Sequence, residues 1–208
     1  MGDARVFYEE KYVANADERL GLFQGLVERY AAKTALYPGS SGHVTPSFVI
    51  PTVVHVDPDK RAESFFSDPE VLELVRERRE YAEEPTIRFH LAERDVGPLP
   101  EPDQSFDLLI SQGAPFVSQV CKRYLKVGGH LVADSSAGDA DLAAQDPDYE
   151  LVAVYKRRGA VITLVSDELE TYMIMDPEGS PTPEQIKRIV HGAGYARLAS
   201  GGVFERVG

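Results

Sequence analysis

The chain has no tryptophan and one cysteine, Cys121. A single thiol excludes a disulfide framework within one chain and suits a reducing, cytoplasmic setting. Cys121 falls in a segment read as helical, beside Lys122 and Arg123, where a small buried hydrophobe is the ordinary role of an isolated cysteine. Basic residues are scarce: Lys plus Arg number 22 against 34 Asp plus Glu, for a net charge of −12. Such a chain repels phosphate backbones, so nucleic acid is excluded as a general partner. Its two basic clusters do not reverse this. Arg76, Arg78 and Arg79 are interleaved with acids as on a solvated helix face, and Lys156, Arg157 and Arg158 read as a hairpin tip. No apolar run approaches the roughly 18 residues of a membrane span, and residues 1–10 lack an apolar core of signal-peptide length. What is present, 43% hydrophobic and 27% charged residues over 208, makes one globular domain with one sizeable core. Residues 1–33 read as an N-terminal helical extension, 34–166 as the core and 167–208 as a C-terminal extension.

Periodicity gives the elements. Leu20, Phe23, Leu26, Val27 and Tyr30 recur at helical steps and predict a helix over 17–32 with Asp17 as its cap. Short strands are predicted at 34–37, 52–56, 86–92, 106–111 and 130–134. Residues 44–50 read as a short helix after a small-residue loop, with Pro46 in its first turn. Helices are predicted at 59–66, at 68–81 with Asp68 as cap and Pro69 first, and at 114–126, the last ending at Gly128-Gly129. A helical piece near 139–145 precedes two strands, 149–155 and 160–165, joined by Arg157-Arg158-Gly159 as an antiparallel hairpin. A last helix spans 183–193, with Gly194 past its end. Strands alternating with helices imply an α/β fold: a mostly parallel sheet covered on both faces. Ligands of such sheets sit beyond the carboxyl ends of the strands, where strand order reverses.

The strand exits carry the motifs. Asp95-Val96-Gly97-Pro98-Leu99-Pro100 precedes Pro102-Asp103-Gln104-Ser105-Phe106-Asp107, which enters an apolar strand, and Leu125-Lys126-Val127-Gly128-Gly129 follows. These segments resemble the second half of the class I S-adenosylmethionine-dependent methyltransferases. The resemblance covers about residues 34–166. It implies a Rossmann-like, seven-stranded sheet with a C-terminal antiparallel hairpin, S-adenosylmethionine as cofactor, S-adenosylhomocysteine as product and a small-molecule acceptor.

It also implies cofactor-binding positions. The first exit, Tyr37-Pro38-Gly39-Ser40-Ser41-Gly42-His43, corresponds to the glycine-rich loop, with Tyr37, Gly39, Ser40, Ser41 and Gly42 at the methionine end. It departs from the family pattern: Tyr37 stands where an acid is usual and Ser41 where the second glycine is. Hydroxyls of Ser40, Ser41 and Thr45 offer substitute hydrogen bonds. Asp57, followed by Pro58, matches the ribose-binding acid. Asp95 matches the acceptor for the adenine amino group, with Val96 beside the ring. Ser111 and Gln112 fall where the fourth exit faces both sulfur and substrate. Gln112 cannot act as a base but can orient a substrate. The Asn-Pro-Pro-Tyr type of motif of nucleic-acid and protein amino-methylating enzymes is absent.

No catalytic residue is assigned, and no metal. Of the histidines, His55, His90 and His130 fall within strands, His191 lies in the last helix, and His43 on the glycine loop is the best placed for a general base. Tyr8 and Tyr12 read either as a lid or as core. Tyr172, Met173 and Met175 follow the hairpin as substrate-side candidates. Two other functions stay open. One is a non-catalytic relative that kept the fold as a binding or interaction protein. The other is a nicotinamide-dependent oxidoreductase, which would use Asp57 for ribose but lacks a Gly-x-Gly-x-x-Gly loop.

Overall fold

Short runs of β-branched and aliphatic residues between turn residues make the central strands. β1 (Thr34–Pro38), β2 (Thr52–Asp57), β3 (Thr86–Leu91) and β4 (Phe106–Ser111) fall within a residue of their predicted bounds. The computed structural model describes residues 3–92, 98–135, 138–174 and 197–208. The other strands are β5 (Leu125–Asp134), β6 (Tyr149–Arg158), β7 (Val161–Val165), β8 (Tyr172–Ile174), β9 (Arg197–Ala199) and β10 (Gly201–Arg206). Eight of them form one sheet in the order β3-β2-β1-β4-β5-β10-β6-β7, while β8 and β9 pair separately. β10 and β7 run against the other six. The order reverses between β1 and β4, which makes the carboxyl ends of those strands the switch point.

Alternation along each strand splits the core across the two faces. Ala35, Tyr37, Val53, Leu108, Ile110 and Val203 face one side, with Leu22, Phe23 and Leu26 of α2 (Leu20–Tyr30). Leu36, Val54, Val56, Leu109, Leu131 and Phe204 face the other, with α5 (Val117–Val120) and α6 (Asp139–Gln145). Each fully buried Leu or Phe contributes about 1.5–3 kcal/mol. α1 (Asp3–Tyr8) runs into a π-helical turn, Glu9–Val13, and brings Tyr8 and Tyr12 into the first of these cores. The caps of α3 (Lys60–Phe66) and α4 (Pro69–Arg78) are local and follow the sequence. The Asp59 carboxylate accepts from the Arg61 amide at 2.8 Å, and the Asp68 carboxylate from the Glu70 amide at 2.9 Å.

Several expectations are corrected. The sheet has eight strands rather than seven. The hairpin β6–β7 is present, but its turn is Gly159-Ala160, since Arg158 already pairs with Val161. The strand that enters the sheet antiparallel between β5 and β6 is β10, whose two glycines hide a strand pattern in the sequence. The helix expected over 114–126 is reduced to α5 and a 3-10 turn at Lys122–Tyr124, and Gly128-Gly129 lies inside β5. Leu125 pairs with Phe106, and His130 with Leu108. The extra residues bulge out around Gly128, whose φ is +80°. Asp17 is not a cap: Ala16 and Arg19 have φ of 53° and 56°, which break the helix before Leu20. After the glycine loop comes a four-residue 3-10 turn, Thr45–Phe48, so no helix N-terminus points at the loop. The predicted helix at 183–193, His191 included, lies outside the described residues, as do Met175, Asp95 and Val96. Among described residues no helix is long and apolar enough to cross a membrane.

Gly201 is the residue that admits β10. A Cβ there would lie 2.4 Å from the Ala133 carbonyl oxygen and 2.4 Å from the Tyr155 ring. The strand and the ring cannot both keep their places beside a methyl group. Gly201→Ala is expected to destabilise the fold by about 1–3 kcal/mol, read as a lower Tm, by overpacking. A Tm unchanged within a degree would show that β10 is not held this tightly.

Candidate functional site

The carboxyl ends of β1 and β2 meet in one hydrogen-bonded unit. Gly39 N–H donates to the Val56 carbonyl at 2.7 Å, and Ser41 N–H donates to Asp57 Oδ2 at 2.9 Å. The Asp59 amide donates to Asp57 Oδ1 at 2.8 Å. Asp57 therefore holds both its own strand exit and the glycine loop, and each of its oxygens keeps one further lone pair. It is 6% exposed. Pro58 beside it is exposed. In the loop, Gly39, Ser41 and Gly42 have φ of 69°, 47° and 82°. Ser40 is buried, and its Oγ has no hydrogen-bond partner. Such an orphaned hydroxyl is uncommon in a folded protein.

The loop carries no charge of its own. Tyr37 is buried, its hydroxyl 3.0 Å from His43 Nδ1, and burial raises its pKa so that it stays neutral. His43 Nε2 lies 2.9 Å from the Glu18 carbonyl oxygen. A carbonyl only accepts, so Nε2 carries the proton and Nδ1 accepts from Tyr37. Burial, helped by Arg19, pushes the His43 pKa down to about 3. The histidine best placed by sequence for a general base is thus a neutral, fully hydrogen-bonded structural group. Burial, with a contribution from His43, likewise lowers His55 to about 3. His90 is paired with Glu101 at 2.8 Å, and His130 stacks on Tyr30 with ring centres 3.8 Å apart.

The N-terminal helices cover the loop from outside. Tyr12 Oη donates to the Ser41 carbonyl at 2.7 Å, while Tyr8 Oη bonds Thr45 Oγ1 at 2.6 Å and Glu18 Oε1 at 2.7 Å. Both tyrosines are therefore core, and Tyr12 is also a fastener of the loop. Thr45, bound to Tyr8, is not a free hydroxyl. Lys11 Nζ donates to the Ser41 carbonyl and to Ser41 Oγ, each at 3.1 Å, and lies 5.1 Å and 5.0 Å from the Phe7 and Tyr12 ring centres. Partial burial lowers its pKa, against the pull of Asp57 and Asp59. Between these helices and α3 lies a cleft of about 700 Å³, within the range of small-molecule sites. Ala4, Phe7 and Lys11 form one wall, Ser41 and Gly42 the back, and Asp59, Arg61 and Phe65 the other wall. A Cβ at Gly42 would come within 2.9 Å of the Phe7 ring, so the backbone itself lines the cleft.

The carboxyl ends of β4, β5 and β6 form a second polar cluster that the sequence does not announce. Gln112 is buried and its amide is engaged at both ends: Oε1 accepts from Arg19 Nη1, and Nε2 donates to Tyr155 Oη at 3.2 Å. Arg19 also pairs with Asp17 at 2.9 Å and lies 3.9 Å from Asp134, and Asp17 pairs with Arg157 at 2.8 Å. Burial disfavours the Asp17 charge, but Arg19 and Arg157 outweigh it and hold its pKa below the ordinary value. Ser111, also buried, donates to the Ala114 carbonyl at 3.3 Å. Arg19 was missed because it precedes the core by sequence and reaches Gln112 across 93 positions.

The structure brings Tyr37, Gly39, Ser40, Ser41, Gly42 and Asp57 together, with Pro58 adjacent. Ser111 and Gln112 stand at the neighbouring strand end. No family model matches the chain, and no curated protein sequence does. Among solved structures it is similar to an S-adenosylmethionine-dependent methyltransferase from Thermotoga maritima, with 14% identity over 98% of this chain and 93% of that one and a TM-score of 0.49. It is similar to a methyltransferase from Geobacter sulfurreducens, with 14% identity over 79% and 89% and a TM-score of 0.45. A third is the O-methyltransferase TomG from Streptomyces achromogenes in complex with S-adenosylmethionine, with 13% identity over 70% and 76% and a TM-score of 0.45. By its own strand order, its reversal between β1 and β4 and the antiparallel strand set between β5 and β6, the chain has a Rossmann-like α/β fold.

Proposed function

We propose that the chain binds S-adenosylmethionine at the exits of β1 and β2 and transfers its methyl group to a small molecule. One observation carries the reading. The glycine loop, with a buried and unpartnered Ser40 Oγ, is tied to the Asp57 carboxylate at the switch point of the sheet. The residues suit the ligand. The free lone pairs of Asp57 can accept from a ribose diol, Ser40 can bond the amino-acid end, and Asp95 with Val96 is assigned to adenine by resemblance alone. The bound cofactor supplies an already activated methyl group. The chain's task is then orientation, which alone can supply much of the rate. No base is required of His43, whose two nitrogens are engaged. Gln112, Arg19 and Tyr155 border the acceptor side.

A second reading rests on that same border. Arg19, Gln112, Asp134 and Tyr155 already satisfy one another where an acceptor would sit, which favours a relative that binds the adenosyl ligand, or a partner, without turnover.

Calorimetric titration with S-adenosylmethionine and S-adenosylhomocysteine tests both. The wild-type chain is expected to bind each, and Asp57→Ala to lose at least tenfold in affinity while a thermal melt confirms that it folds. Binding of neither at millimolar concentration rejects the methyltransferase reading in favour of the interaction one, and binding of NADH instead would favour an oxidoreductase. Binding without methyl transfer to a panel of small acceptors supports the second reading.

A further inference from the structure

We infer that Lys11, from the N-terminal helical segment, holds the carboxylate of the adenosyl ligand over the glycine loop. This rests on the adenosyl-binding reading above and extends it to a residue outside the resemblance. The cofactor's amino-acid end is zwitterionic, and a carboxylate brought to a partly desolvated cleft needs a charged partner. The loop supplies no cation: residues 37–42 include no Lys or Arg, and His43 beside them is buried, neutral and bonded to Tyr37. Lys11 is the cation at the loop. Its ammonium spends two donors on Ser41, one on the carbonyl and one on Oγ, and keeps a third. Among the described residues it has no carboxylate within ion-pair distance, whereas Arg61, the other cation of the cleft, is paired with Asp59 at 2.6 Å. The rings of Phe7 and Tyr12 fix the ammonium beside the Ser41-Gly42 backbone. These contacts hold the charge at one place on the wall of the cleft that the loop backs.

The same placement explains the order of the N-terminal residues. Ala4, Phe7 and Lys11 recur at three- and four-residue steps and all line the cleft. Small, aromatic and cationic groups thus follow one another along one face.

The test compares two ligands that share the adenosine and differ in the charged end. S-adenosylhomocysteine carries the carboxylate; 5′-methylthioadenosine does not. Calorimetric titration of the wild-type chain, Lys11→Met and Lys11→Arg with each is the experiment. A charge-assisted hydrogen bond of this kind corresponds to roughly tenfold to a hundredfold in affinity. Lys11→Met is expected to lose that factor for S-adenosylhomocysteine and to bind 5′-methylthioadenosine as the wild type does. Lys11→Arg keeps most of the affinity for both. Equal loss of both ligands in Lys11→Met would mean that the lysine only braces the loop, and unchanged affinity for both would mean that it touches neither; either result overturns the inference while the adenosyl reading stands. If the wild type binds neither ligand, the adenosyl reading and the inference fall together.

Discussion

Acidification between pH 6.5 and 5 is expected to destabilise the fold by roughly 3 kcal/mol, a large share of the stability of a typical domain. The cause is the buried pair His43 and His55, each lowered to about 3. Unfolding exposes both rings to water and restores a pKa near 6.5. The neutral form is therefore the one the native state selects. Its stabilising contribution is complete above pH 6.5 and is lost as the pH falls through the window from about 6.5 to about 3, where only the unfolded chain takes up protons. Each histidine contributes a slope that approaches about 1.4 kcal/mol per pH unit once the pH is well below 6.5. His130, lowered by burial, adds in the same direction. Asp17 and Asp107, whose arginine and lysine partners outweigh the burial that opposes ionisation, keep low values and lose their contribution only below about pH 4. Urea melts at pH 7.5, 6 and 5 measure this directly. The midpoint should fall steadily below pH 6.5, and His55→Leu should remove about half the slope. A midpoint that does not move between pH 7.5 and 5 would mean that neither ring is held neutral.

Arg19→Ala is expected to destabilise by about 3–5 kcal/mol, the usual result of removing one partner from a mostly buried ion pair. Arg19 stands between Asp17, Asp134 and Gln112, and its side chain is 21% exposed. Its loss leaves Asp134, 14% exposed, without that cation. It also frees one end of the Gln112 amide and takes away one of the two cations on Asp17, leaving Arg157. Denaturant unfolding of Arg19→Ala, Asp134→Asn and the double variant separates charge from packing. The double variant should recover part of the loss, since the carboxylate that faces Arg19 is gone. Strict additivity of the two changes would mean that Arg19 and Asp134 do not interact across their 3.9 Å separation.

The same two clusters mark the limit of sequence reading for the site. The place of Asp57 at a strand exit was legible, because it directly follows a β-branched run. Its grip on Ser41 was not, because that bond spans two strand exits. His43 is a loop residue in the sequence, and only its burial among Tyr12, Phe23 and Tyr37 turns it from a candidate base into a neutral strut. Lys11 and Arg19 lie in a segment that reads as an extension, yet one sits on the glycine loop and the other beneath the strand ends. Gln112 was singled out for its position, but the sequence could not say that Arg19 and Tyr155 already occupy its amide.

By itself the sequence determined what local interactions decide. Strands β1 to β4, the Asp59 and Asp68 caps, the hairpin β6–β7 and the acidic surface follow from residues a few positions apart, whose backbone preferences and hydrogen bonds need no distant partner. Tertiary structure decided whatever depends on pairing across the chain. It drew β5 out to Leu125 where a helix had been expected, because β4 offers a ladder there. It set β10 between β5 and β6, because Gly201 alone leaves room for the Tyr155 ring. It also gave the site its charges, neutralising the histidines by burial and bringing in Lys11 and Arg19 from outside the motif. Desolvation and long-range contact have no signature in a short window of sequence, and they govern the chemistry of this site.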